Sequence, residues 1–141
     1  MTEPLRRQAL VDTDPARAFE LFTGRLNAWW PLERYSVFGD GSVAFEEGRI
    51  VERSGDRESV WGEVTEWEPP RALAFTWHPG HPIEQSTDVA ITFEPDADQT
   101  LITLVHAGWE RHTDPESARG EYDEGWPLVL AAFVGLVDQL Q

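Results

Sequence analysis

The chain has no cysteine, which excludes disulfides, thiolate metal sites and cysteine nucleophiles together. It also has no stretch approaching the roughly eighteen apolar residues that a membrane-spanning helix requires. The opening MTEPLRRQALVDTD contains no apolar segment of the kind a secretory signal needs, so the expectation is a cytoplasmic protein with no membrane span. Cations are scarce: 11 Lys plus Arg stand against 26 Asp plus Glu, for a formal net charge of −15. Such a surface repels phosphate backbones and anionic lipid, which argues against nucleic-acid and membrane-surface partners. No phosphate-cradling glycine loop, nucleophile elbow or dinucleotide fingerprint is written in the chain, and no cofactor is expected.

What is present is aromatic. Seven tryptophans in 141 residues supply large, rigid apolar area, each with one N–H, and point to a deep core, a pocket or an interface. The length suits one domain over residues 1–141 with a sizeable core.

The punctuation of the chain predicts its elements. Leu5 to Val11 reads as a strand, and Asp14-Pro15 as a helix start, with the aspartate capping and the proline at the first helical position. That helix carries Ala18, Phe19, Leu21 and Phe22. A second short helix through Leu26, Trp29 and Trp30 is stopped by Pro31. From Ser42 to Trp109 the pattern is strands and turns. Leu73, Phe75 and Trp77 alternate with smaller residues, as do Val89, Ile91 and Phe93. Thr100 to Trp109 is apolar at both parities and reads as a central or strongly curved strand. With no βαβ rhythm and no internal repeat, an antiparallel sheet is the simplest topology.

The last segment opens on Asp114-Pro115, and Pro127 interrupts it, so a kink or a fresh helix start is expected there. Beyond Pro127 the residues Leu128, Leu130, Ala131, Phe133, Val134, Leu136, Val137 and Leu140 predict a helix buried nearly all round and gripped by the sheet. Strand parity groups Leu73, Phe75 and Trp77, then Val89 and Ile91, then Ile102, Leu104 and His106, each set on one face of its strand.

The order of these parts resembles the helix-grip, START-like superfamily (Bet v 1-like, also called SRPBCC), in its branch named after activators of a heat-shock chaperone ATPase. The likeness rests on Trp29-Trp30-Pro31, Gly48-Arg49-Ile50, Trp61-Gly62-Glu63-Val64, Trp67 to Arg71, Phe75-Thr76-Trp77, the run His106 to His112, and Gly125-Trp126-Pro127 with Leu130 and Phe133. It implies an α+β fold in which a curved antiparallel sheet wraps a long C-terminal helix, with two short N-terminal helices. It also implies an internal cavity, used in that superfamily for lipids, sterols and polyketides and in some members for cyclisation or hydration. The branch name adds chaperone partnership and stress response to the readings.

Within that frame the candidate ligand-binding residues are Trp30, Phe75, Trp77, Ile91, His106, Trp109, Trp126, Leu130 and Phe133, any of which packs equally well as plain core. His106, aimed toward an apolar interior, is the candidate catalytic acid or base, or else a neutral core imidazole. His78 and His81 lie in a loop with no third ligand at metal-binding spacing, so no metal site is expected. Gly125-Trp126-Pro127 is the expected hinge and gate. Three functions follow: binding of a small hydrophobic ligand, a cavity enzyme of the cyclase, hydratase or hydrolase type using His106, or a chaperone co-factor or protein-interaction module. Pairing as a homodimer is left open.

Overall fold

A computed structural model describes residues 2–31, 37–39 and 41–140. The elements run β1 (Leu5–Val11), α1 (Pro15–Gly24), α2 (Leu26–Trp29), β2 (Ser42–Glu46), β3 (Arg49–Ser54), β4 (Arg57–Glu68), β5 (Ala72–Trp77), β6 (Thr87–Asp96), β7 (Gln99–Ala107) and α3 (Pro115–Gln139). The strands form a seven-stranded antiparallel sheet in the order β1-β7-β6-β5-β4-β3-β2. The sheet meanders from β2 to β7, and the N-terminal strand closes its far edge. With two short helices before the sheet's meander and one long helix after it, this is the expected helix-grip arrangement.

Local chemistry sets the boundaries. Asp14 and Asp114 each accept a bond from the backbone N–H three residues on, at 2.7 Å from Arg17 and 3.2 Å from Ser117, and a proline follows each cap. The β2–β3 hairpin turns on Glu47 and Gly48, both at positive φ (49° and 78°), as the right-handed twist of paired strands favours.

Alternation decides which face is buried. Cross-strand rows Leu73–Ile91–Leu104 and Phe75–Val89–His106 run over β5, β6 and β7, and all six residues are buried while Ala90 is exposed. A slip of one residue would invert the face, so these rows fix the register. Helices α1, α2 and α3 close over them: the ring of fully buried Phe133 meets Phe22 at 5.2 Å and Trp29 at 5.0 Å.

Three expectations need correction. The last strand ends at Ala107, because Gly108 adopts a left-handed conformation (φ 88°) and Trp109–Arg111 form a 3₁₀ turn. Its burial alternates, so β7 is buried at one parity and only partly covered at the other. No helix restart occurs at Pro127: α3 is continuous from Pro115 to Gln139. Pro127 sits on the exposed side, and the Asp123 carbonyl that has lost its helical donor accepts a long 3.5 Å bond from Arg7 Nη2 of β1. The Arg7 guanidinium also pairs with the Asp123 carboxylate. Finally, α3 is not buried all round: Trp126, Val129, Leu130, Phe133 and Val137 face inward at helical spacing, whereas Leu128 and Leu140 stand exposed.

Candidate functional site

Four of the seven tryptophans converge where β4, β5 and α3 meet. Trp61 occupies a β-bulge: Ile50 pairs with Gly62 and Val51 with Val60, leaving Trp61 without an opposite number on β3. Bulges re-aim side chains, and here the ring is fully buried. Gly62 is dictated by close approach, since a Cβ there would lie 1.7 Å from the Thr76 carbonyl oxygen of β5. Trp77 ends β5, Trp30 follows α2, and Trp126 comes from α3. Their rings meet at centroid distances of 5.3 Å (Trp30–Trp61), 5.6 Å (Trp61–Trp77), 5.8 Å (Trp77–Trp126) and 6.1 Å (Trp30–Trp126). Tyr122, one helical turn before Trp126, stacks on it at 5.9 Å.

These five rings wall a cleft of about 510 Å³, completed by Val37, Pro79, Gly80, His81, Glu121, Gly125 and Val129. That volume lies in the range that takes a small organic molecule. Fully buried Glu52 of β3 helps shape the edge of the cleft by accepting the backbone N–H groups of Val37 (2.8 Å) and Phe38 (3.4 Å).

The polar atoms divide into two sets. Around His106 the bonds close on themselves. Trp126 Nε1 donates to His106 Nδ1 at 2.9 Å. An indole nitrogen only donates, so Nδ1 carries no proton and Nε2 does. Nε2–H then donates to Thr87 Oγ1 at 2.6 Å, and the Thr87 hydroxyl donates to the Trp77 carbonyl at 3.2 Å. Burial, followed by the charge of nearby His112, pushes the His106 pKa down to about 3. His106 is therefore neutral near pH 7, with both ring nitrogens bonded inside the protein.

On the cleft side the bonds are incomplete. Trp77 Nε1 donates to the Tyr122 hydroxyl at 3.0 Å. Burial is the main cause that raises this phenol to about 12, so it keeps its proton. Trp61 Nε1, although buried, has no hydrogen-bond partner among the described residues. At the rim, the His81 and His112 rings meet at 5.3 Å, and burial, then the proximity of His81, lowers the His112 pKa.

Of the residues singled out from sequence, Trp30, Trp77 and Trp126 line this cleft. Phe75, Ile91, Leu130 and Phe133 are buried outside its wall. His106 and Trp109 belong to the bonded cluster beyond Trp126, where the Trp109 ring lies 4.1 Å from the imidazole and its N–H donates to the His106 carbonyl at 3.0 Å. No three His, Cys, Asp or Glu side chains gather as a metal site among the described residues. Sequence reasoning missed Trp61, Tyr122, Glu121, Val129 and the residues at the rim. A signal existed for two of them: Tyr122 and Val129 lie four before and three after Trp126, on one helical face.

A family model described as Activator of Hsp90 ATPase homolog 1-like protein matches residues 12–138. The chain belongs to that family. No curated protein matches significantly. Among solved structures, it is similar to CalC from Micromonospora echinospora, described as a self-sacrificing resistance protein. That match has a TM-score of 0.75 and 22% identity, covering 96% of this chain and 94% of that one. It is also similar to Txn09, described as an anthrahydroquino-gamma-pyrone synthase (TM-score 0.64, 26% identity, covering 95% and 96%). The Aha1 dimer from Colwellia psychrerythraea matches at TM-score 0.70 and 17% identity, with 96% of each chain covered. Proteins that share this fold thus carry descriptions of different kinds, and the choice among functions falls to the cleft.

Proposed function

We propose that the protein binds a flat, largely apolar small molecule in the tryptophan-walled cleft and orients it through a hydrogen bond from Trp61 Nε1 to an acceptor on the ligand. The observation that carries this reading is the buried indole N–H without a partner among the described residues, in a side chain that lines the cleft. Leaving such a donor unmet costs about 1–3 kcal/mol. A ligand carbonyl or ether oxygen would relieve it, and the surrounding rings would cover the ligand's apolar body. The description of Txn09 as a synthase fits a small-molecule role on this fold.

The enzyme reading with His106 as acid or base finds less support. Both of its ring nitrogens are bonded internally, and its pKa of about 3 leaves it unable to hold a proton near neutrality.

Quenching of tryptophan fluorescence by 2-acetylnaphthalene, compared with 2-isopropylnaphthalene, tests the proposal. Trp61→Phe should weaken binding of the ketone by about fivefold, the equivalent of one hydrogen bond, and leave the hydrocarbon unchanged. Equal effects on the two probes would refute the assigned donor. Native mass spectrometry of protein purified from its own cells would then supply the natural ligand.

A further inference from the structure

We infer that the ligand of this cleft carries an organic cation, a quaternary or protonated amine, held against the aromatic wall and facing Glu121. This rests on the reading of the cleft as a ligand site and names the class of molecule that it takes. The wall joins Trp30, Trp61, Trp77, Tyr122 and Trp126. Two of these indoles direct their N–H groups into the protein, Trp77 to Tyr122 and Trp126 to His106. What they offer a guest is therefore ring carbon, and a cation is attracted wherever it lies over the face of such a ring.

The charged side chains agree. Glu121 is the one carboxylate of the cleft's described lining, it is exposed, and no ion pair engages it among the described residues. No arginine stands in the cleft's described lining, and the chain has no lysine at all. In the described lining an anionic guest would therefore meet the titratable base His81, with His112 behind it at the rim, and no permanent cation. The net charge of −15 adds a field that draws cations toward the surface and repels anions. The Trp61 N–H remains for an acceptor elsewhere on the same molecule.

Three probes of similar size and ring separate charge from shape: (3-hydroxyphenyl)trimethylammonium, its neutral isostere 3-tert-butylphenol, and 3-hydroxybenzoate. Binding is followed by calorimetry at pH 8, where ordinary imidazoles are neutral. The indole N–H resonances of Trp61, Trp77 and Trp126 report where each probe sits. The ammonium should bind on the order of tenfold more tightly than the tert-butyl compound while shifting those resonances. Glu121→Gln should reduce that preference about threefold without altering affinity for 3-tert-butylphenol, and added salt should act in the same direction. A neutral probe that binds as well as the ammonium overturns the cationic assignment and leaves the cleft a ligand site, as does tighter binding of the benzoate. If none of the three shifts the indole resonances, both the cation and the ligand site fall.

Discussion

Trp126 divides two polar regions that are built differently. On one side its N–H completes a chain through His106, Thr87 and the Trp77 carbonyl in which each link has a partner. On the other side Trp61, which lines the cleft, has a buried donor with no acceptor among the described residues. Both regions are made of buried aromatic and polar groups, so composition alone does not distinguish them. Satisfaction does. A closed network holds a core in one arrangement, whereas an unmet donor beside a ligand-sized hollow leaves room for chemistry supplied from outside.

The largest effect should come from breaking the closed side. His106→Leu keeps comparable volume but leaves the buried Trp126 N–H without an acceptor and removes one partner of Thr87. Two such losses should lower stability by about 3 kcal/mol, readable as a shifted urea midpoint at unchanged slope. A variant within about 1 kcal/mol of the parent in stability, but much weaker in binding 2-acetylnaphthalene, would return His106 to the ligand site.

Acid should act on the same network. The folded pKa of His106, about 3, lies below its ordinary 6.5, so between these values the unfolded chain binds a proton that the folded one refuses. Stability contributed by the neutral imidazole is then full above pH 6.5 and is lost as pH falls toward 3. At pH 5 the loss should approach about 2 kcal/mol. Urea melts from pH 7 to 5 test this directly: the parent should show the slope and His106→Leu should lack that share of it.

Much of the fold was legible because it obeys short-range rules. The Asp-Pro caps mark two helix starts, and the alternation through Leu73, Phe75 and Trp77 fixes a buried face. The cleft was less legible because it depends on departures from those rules. Trp61 owes its position to a bulge, which shifts parity in a way that no alternating pattern announces. Glu52 looks like a solvated strand residue but is buried to hold two backbone N–H groups of a distant segment. His106 was correctly placed on the buried parity, yet parity says nothing about hydrogen bonds, and those bonds come from residues 19 and 20 positions away.

A direct comparison across the divide uses the same substitution twice. Trp126→Phe deletes a donor that His106 Nδ1 accepts, while Trp61→Phe deletes one that nothing in the described protein accepts. The loss of ring area is alike in both. Without ligand, Trp126→Phe should therefore be the more destabilising by about 1–2 kcal/mol. Equal losses in paired denaturant melts would mean that Trp61 is as well satisfied as Trp126 and that the contrast is false.

The smallest effect is expected at Pro127, and it bears on whether the helix supporting the cleft moves as a hinge. Within α3 the proline removes one backbone donor, and the carbonyl left behind, that of Asp123, is met at 3.5 Å by Arg7 from the neighbouring strand. Pro127→Ala restores the helical N–H and relieves the steric cost of proline in a helix interior, but it also lets the unfolded chain explore more conformations. These effects oppose one another, and the Arg7 contact already answers part of the deficit, so the net gain should be modest, about 1 kcal/mol. Since α3 is continuous through this point, Trp126 and Tyr122 should keep their places, and probe association and dissociation rates should match the parent in stopped-flow fluorescence. Slowed entry and exit at equal affinity would instead mean that the helix bends at Pro127 to admit ligand, and that the continuous α3 is only its closed form.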